Sequence, residues 1–292
     1  MDRLETRELA HFLAVADELH FGRAAGLLGI TQPALSKTIR HLERRLDVEL
    51  FDRTSRAVAL TPAGQVLARE ARVALDAVAA ATARTRRAGS RDPRVILAMK
   101  PGGDAGLLPA VLAAYEREPD VLPIEVSFGG DRAQMLREGQ ADAALLYSPP
   151  DDLHGLDTET LLCEAPFAVL PASHPLARRA DLRMADLAGE NLHKHPADAN
   201  ATGTISELMH LIALGHTIAV LPQSLTTPLR DDLAVVPVTD LPPSNLVLAW
   251  PAHSTSPSVA ALARAVANVA PAPGRAASTV DRHDQGSGSP RG

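Results

Sequence analysis

The polar residues Gln32, Ser36, Lys37, Arg40 and Arg44, interleaved with Leu35, Ile39, Leu42 and Leu46, carry the clearest chemistry in the chain. The apolar set recurs at steps of four, three and four, which is the spacing of one helical face. The opposite face then shows Gln32, Pro33, Ser36, Lys37, Arg40 and Arg44 to solvent. A glutamine amide can pair with an adenine edge and a lysine with guanine O6 or N7. Ser36 and Arg44 suit phosphate oxygens, which position a protein on a duplex without specifying sequence. Thr31 is expected to cap this helix through its hydroxyl, and Pro33 fits the first turn. Phe21 to Leu28 reads as a preceding helix, with Ala24 and Ala25 small enough for a close crossing and Gly29-Ile30 as the turn. Two helices so joined form a helix-turn-helix whose second helix fits a major groove. Beyond it, 49–53 and 58–61 can pair as a small hairpin. Arg53 and Arg56 at its tip would reach the neighbouring backbone or the minor groove. The competing reading is a helical subdomain with a merely solvated basic face.

A second set of polar residues lies farther along. Lys100 follows an apolar strand, and Pro101, Gly102, Gly103 and Asp104 are expected to open a helix. Backbone N–H groups at a helix start favour an anion, and Lys100 adds a full positive charge. Tyr147-Ser148 ends another strand, and Thr202-Gly203-Thr204 opens a later helix. A small carboxylate or other anionic metabolite between these points is the expectation. The alternative is a solvated Lys100 beside glycines that only permit a turn.

Other constellations point to less. His193, His195, His210 and His216 have no evident cysteine or carboxylate companions, so they read as surface residues and no metal is expected. Cys163, in Leu161-Leu162-Cys163, reads as a small core residue. Ser206 and His210 lie four apart, but no acid or oxyanion arrangement accompanies them, so no catalytic residue is assigned. Gly102-Gly103 lacks the spacing of a dinucleotide fingerprint, and no cofactor is expected.

The elements that must position these residues follow from patterning. The 292 residues suffice for about two domains of ~100–200 residues each. With 46% hydrophobic and only 3% aromatic residues, the core must rest on Leu, Val, Ile and Ala. The single cysteine excludes a disulfide framework. The charged opening MDRLETRELAHFLAV is unlike a signal peptide, and no apolar run is long enough to span a membrane, so a reducing cytoplasm is the expected address. Residues 1–91 carry 15 Lys/Arg against 11 Asp/Glu, a balance of +4. The remainder carries 14 against 24, a balance of −10, which sets a basic N-terminal module apart.

Residues 62–88 form an Ala-rich helical run. Leu67, Ala71, Ala74, Val78, Ala81 and Thr85 are spaced as a coiled-coil seam. A break follows at 88–93. Strands are expected at 95–99, 123–128, 141–147, 167–170, 217–221, 233–236 and 246–250. Helices are expected from 101 to about 115, and at 131–139, 204–213 and 257–268. That alternation implies a mostly parallel sheet. The segment 271–292, rich in Pro, Gly, Ser and charge, is expected to be disordered.

The ordered string Phe21-x-x-Ala24-Ala25, Thr31-Gln32-Pro33-Ala34-Leu35-Ser36, Leu42-Glu43, Leu50-Phe51-x-Arg53 and Leu60-Thr61-x-Ala63-Gly64 closely resembles the LysR-type transcriptional regulators. The resemblance implies an α+β chain. A winged helix-turn-helix spans 1–61, a linker and dimerisation helix with its hinge 62–91, and a two-lobed α/β effector-binding domain like periplasmic binding proteins 92–270. The tail at 271–292 follows. By that analogy Gln32, Pro33, Ser36 and Lys37 face DNA and Arg53 sits on the wing. Leu107-Leu108-Pro109, Gly139-x-Ala141-Asp142, His174-Pro175-Leu176 and the run Ala213 to Pro222 extend the resemblance through the second half. The segment between Leu192 and Leu214 is shorter than is usual in the family, so the second lobe is expected to be smaller.

These readings imply a regulator that binds a pseudo-palindromic promoter site as a dimer or tetramer and answers to a small effector. The alternatives are a constitutive DNA-binding repressor with a degenerate sensor, and an enzyme or transport-binding protein that kept a helix-turn-helix. The lack of a nucleophile–base set and of an export signal argues against the last.

Overall fold

The computed structural model describes residues 4–53, 58–149, 151–193, 204–226 and 230–270, with the backbone alone at Arg53. The expectations for Arg56, Thr202, Gly203 and the tail 271–292 lie outside the described residues. Two compact units form, the first within 1–97, 122–127 and 131–142, the second within 98–121, 128–130 and 143–292.

The first unit begins with helix α1 (Thr6–Glu18), α2 (Phe21–Leu27) and α3 (Gln32–Leu46). Their apolar faces meet around Phe12, Val15, Leu35, Ile39 and Leu42, all fully buried. Strands β1 (Phe51–Arg53) and β2 (Val58–Leu60) pair antiparallel, with Phe51 opposite Leu60. The Phe51 ring lies 5.3 Å from that of Phe12 and 5.8 Å from that of Phe21, so the wing closes the helical core with aromatic contacts.

Capping fixes the helix starts, though not always as the sequence suggests. His20 Nδ1 accepts from Gly22 N and Arg23 N, both at 3.1 Å, and starts α2. Thr31 does occupy the cap position of α3 with extended backbone, but its hydroxyl accepts no helix N–H. The reason α3 starts there is the residue pattern and Pro33 in its first turn.

Helix α4 (Pro62–Ala88) follows the wing. The expected seam divides. Leu67 and Ala71 are drawn into the helix-turn-helix core, because the start of α4 packs on α1. Ala74, Val78, Ala81 and Thr85 are exposed on this chain. The far half of α4 meets α6 (Arg132–Arg137), where Gln134 Nε2 donates to Asp76 Oδ1 at 2.8 Å and Arg87 pairs with Asp142 at 2.8 Å. Strands β3 (Val95–Met99) and β4 (Ile124–Phe128) adjoin this region, with Val95 N bonded to Pro123 O.

The second unit holds β5 (Ala143–Ser148), β6 (Leu156–Glu164) and β10 (Ser244–Pro251) in one sheet, in the order β5-β10-β6. A three-stranded sheet runs β8-β7-β9, from β7 (Pro166–Pro171), β8 (Ala219–Pro222) and β9 (Leu233–Pro237). β10 is antiparallel to β5 and β6, and β7 is antiparallel to β8 and β9. The mostly parallel expectation fails here because the late strand β10 inserts between β5 and β6 and runs against both, and β7 runs against both of its neighbours. Helices α5 (Leu108–Tyr115) and α8 (Pro257–Val269) pack together beside the first sheet, and α7 (Ile205–Ala213) lies on β7.

Three further expectations change. The helix expected from Pro101 begins only at Leu108, because Gly102, Ala105 and Gly106 take positive φ of 71°, 52° and 71° and break the helical path. Strand β6, absent from the sequence reading, occupies 156–164. Cys163 is exposed rather than buried. Pairing along β6 skips Leu161, since Thr160 faces Val247 and Leu162 faces Leu246. That bulge sends Leu161 inward, at 1% exposure, and turns Cys163 out.

Candidate nucleic-acid interface

Helix α3 separates its two faces completely. Leu35, Ile39 and Leu42 are buried, while Gln32, Pro33, Lys37, Arg40 and Arg44 are exposed and Ser36 is half-buried. Lys37, Arg40 and Arg44 line an open hollow that ends at Asp47–Glu49. Arg44 and Arg45 occupy the last turn, where the carbonyl end of the helix favours positive charge. The surface therefore offers amide, hydroxyl, ammonium and guanidinium donors in a row along one helix. Residues 51–53 and 58–60 carry the wing; the side chain of Arg53 is outside the described residues.

Two braces that the sequence reading did not single out hold this helix in place. Arg45 donates to both oxygens of Glu8 at 2.8 Å, tying α3 to α1. Both side chains are largely covered, at 15% and 11% exposure. Burial pushes the Glu8 carboxyl upward, but the Glu5 backbone N–H, the Arg45 guanidinium and the His41 charge outweigh it and bring it below its ordinary value of 4.5. A carboxylate with a depressed native value stabilises the fold above its unfolded value, and that stability is lost as pH falls through the folded value. The expected result is that Glu8→Gln destabilises the N-terminal unit at neutral pH. The gap to the wild type should close as denaturant melts are repeated from pH 5 toward pH 3. A gap independent of pH would show that the pair contributes nothing through charge. The second brace is Glu43, whose Oε1 accepts from Leu50 N at 3.1 Å and Phe51 N at 3.4 Å. Its position after Leu42 was the only sequence signal.

The second set of predicted residues lies in the second unit. Lys100 is half-buried beyond β3, and its carbonyl accepts from Gly103 N at 3.0 Å. Pro101 to Asp104 form a turn. Asp104 Oδ2 takes the Leu108 N–H at 3.4 Å, so the protein's own carboxylate answers the start of α5. Tyr147 is buried at the end of β5 and Ser148 is half-buried. Thr204 caps α7, exchanging bonds with Glu207 at 2.6 and 3.2 Å. The Tyr147 hydroxyl lies 3.1 Å from Ser224 Oγ and donates to Glu164 Oε2 at 3.4 Å. Burial pushes that phenol well above its ordinary range, a Ser224 hydrogen bond opposes this, and the charges of Glu164 and Asp104 add to the rise. Thus the fold brings Asp104 within electrostatic reach of Tyr147 and adds Glu164 and Ser224, which the sequence did not flag. Among the histidines, His210 Nδ1 is 2.7 Å from Ser206 O within α7.

Comparison with known proteins agrees with this division of labour. Residues 6–65 match the model of bacterial regulatory helix-turn-helix proteins of the lysR family, and residues 88–271 match the LysR substrate binding domain. The Hca operon transcriptional activator HcaR of Escherichia coli K12 is 29% identical over 285 residues, covering 88% of this chain and 95% of that protein. The regulator TtuA of Agrobacterium vitis is 30% identical over 246 residues, covering 75% and 81%. Among solved structures, that of CbnR, a LysR family transcriptional regulator, superposes with a TM-score of 0.53 at 19% identity. It covers 92% of this chain and 100% of that one.

Proposed function

The chain belongs to the LysR family of bacterial helix-turn-helix regulators, and from that premise we propose how its residues divide the work. It is a DNA-binding transcriptional regulator with an effector-binding domain. In our reading the exposed face of α3 enters the major groove of a pseudo-palindromic promoter site. Gln32 and Lys37 read base edges, Ser36, Arg40 and Arg44 hold phosphates, Thr31 and Pro33 set the approach of the helix, and Arg53 and Arg56 touch the flanking backbone. The carrying observation is the clean partition of α3, with Leu35, Ile39 and Leu42 buried beneath an exposed cationic row.

Two chains pair through the exposed stretch of α4 from Ala74 onward, giving a dimer that can double to a tetramer. Pairing places two recognition helices about one turn, ~34–36 Å, apart. A small metabolite binds in the second unit near Lys100, Pro101, Gly102, Gly103, Asp104, Tyr147, Ser148, Thr202, Gly203 and Thr204. The helix-start argument for an anionic effector falls with the later start of α5, so Lys100 alone supports that charge class. The alternative of a constitutive repressor with a degenerate sensor that binds no effector is not favoured. Around β7, β8 and β9 the described core is closed on both sides, by Leu170, Leu182 and Leu187 on one and Val169, Leu208 and Ile212 on the other. Catalysis has no place in this reading, and the regulator acts in the cytoplasm. No helix among the described residues is long and apolar enough to cross a membrane.

Selection of bound duplexes from a random pool tests the proposal. Affinity for the selected site should fall with a log–log salt slope of about −0.9 per phosphate contacted. Lys37→Ala should relax base preference at one position of each half-site, and Arg44→Ala should weaken all sequences alike and reduce the slope by about 1. An unaltered sequence logo for Lys37→Ala would mean that another face of α3 enters the groove.

A further inference from the structure

Resting on the DNA-binding reading above, we infer that Glu43 and Thr61 are positioning residues that fix the angle between the recognition helix and the linker helix, and so set the half-site spacing. Three elements meet at one short stretch of backbone, Glu49 to Phe51. From α3, Glu43 Oε1 accepts the N–H groups of Leu50 and Phe51. From the start of α4, Thr61 N donates to Leu50 O at 3.0 Å and Thr61 Oγ1 donates to Glu49 O at 2.7 Å. The same hydroxyl oxygen accepts from Gly64 N at 3.0 Å and so caps α4. Glu43 and Thr61 therefore grip the entry of β1 from its two sides, and Leu50 between them is 1% exposed.

Neither side chain belongs to the exposed cationic row of α3, so neither is needed to touch DNA. Each acts through the backbone it holds. In a dimer joined along α4, the distance between the two copies of α3 depends on how rigidly each α3 is fixed to its own α4. A loose joint leaves the base-reading face unchanged but lets the two faces take several separations. A merely structural role would lower affinity for every spacing alike.

The test is binding-site selection from a random duplex pool with the full chain, scoring half-site logo and central spacer separately. Wild type should select one dominant spacer. Glu43→Ala and Thr61→Val, on opposite sides of the joint, should each keep the wild-type half-site logo while the spacer spreads by about one base pair to either side. Glu43→Gln keeps an acceptor oxygen at the same place and should restore the single spacer. If Glu43→Ala does not fold, Thr61→Val and Glu43→Gln decide the matter. A wild-type spacer distribution in Thr61→Val, whatever its affinity, overturns the inference while leaving the DNA-binding reading intact. Failure of the wild type to enrich any duplex overturns that reading, and the inference with it.

Discussion

Gly64→Ala should unfold the junction between wing and linker helix, with a loss of about 3 kcal/mol from the N-terminal unit, the upper end of overpacking costs. A Cβ built on Gly64 would stand 2.1 Å from the Leu50 carbonyl oxygen and 3.0 Å from Leu60 Cδ2. The first neighbour is backbone, already held by Thr61 N, so it cannot turn aside as a side chain would. Gly64 is itself buried in the first turn of α4, and the methyl can be accommodated only by lifting α4 from β1. Denaturant melts of the full chain, with amide exchange followed over 47–66, measure this. Native-like protection at Leu50 and Phe51 in the variant would show that α4 can shift freely.

The second large effect is expected at Glu164. This carboxylate is 6% exposed at the end of β6, one residue before the chain enters β7 in the other sheet. Its Oε1 accepts from Ser224 N at 2.6 Å, and its Oε2 accepts from Ser224 Oγ at 2.8 Å and from the Tyr147 hydroxyl at 3.4 Å. Tyr147 is the penultimate residue of β5 in the first sheet, and Ser224 follows β8 in the second, so one side chain ties both sheets of the second unit. Glu164→Ala leaves the Ser224 N–H without its acceptor and the Ser224 and Tyr147 hydroxyls with only each other, at a cost of about 2–3 kcal/mol. For a unit of this size that lowers Tm by roughly 6–10 °C. Glu164→Gln retains one acceptor and should lose less. Calorimetry of the two variants checks the order, and equal losses would mean that the carboxylate's volume matters and its hydrogen bonds do not.

The surface charges separate in the same spirit. The N-terminal +4 and the remaining −10 leave the α3 row as a local feature rather than a property of the whole chain. In the proposed reading duplex binding comes from a few placed cations, so single substitutions there are expected to be resolvable.

Much of the DNA-binding half was legible in the residues. The four-three-four spacing of Leu35, Ile39, Leu42 and Leu46 depends only on helical geometry, and those side chains are indeed covered. The hairpin and the 62–88 helix follow from equally local signals, β-forming pairs on either side of a polar stretch and a long run free of Pro and Gly after Gly64. Tertiary structure alone decided what covers each face. Periodicity marks Leu67 and Ala71 as apolar, but only the packing of α1 on α4 withdraws them from the exposed stretch that begins at Ala74. Glu8 meets Arg45 37 residues away, and Glu164 meets Ser224 60 residues away, distances over which no local pattern reports. The bulge at Leu161 depends on its β10 partner, so the side on which Cys163 emerges was fixed only when the strands paired. Local sequence sets which backbone path is cheapest and which face is greasy, whereas the partner that satisfies a buried charge or a strand edge exists only once distant segments have come together.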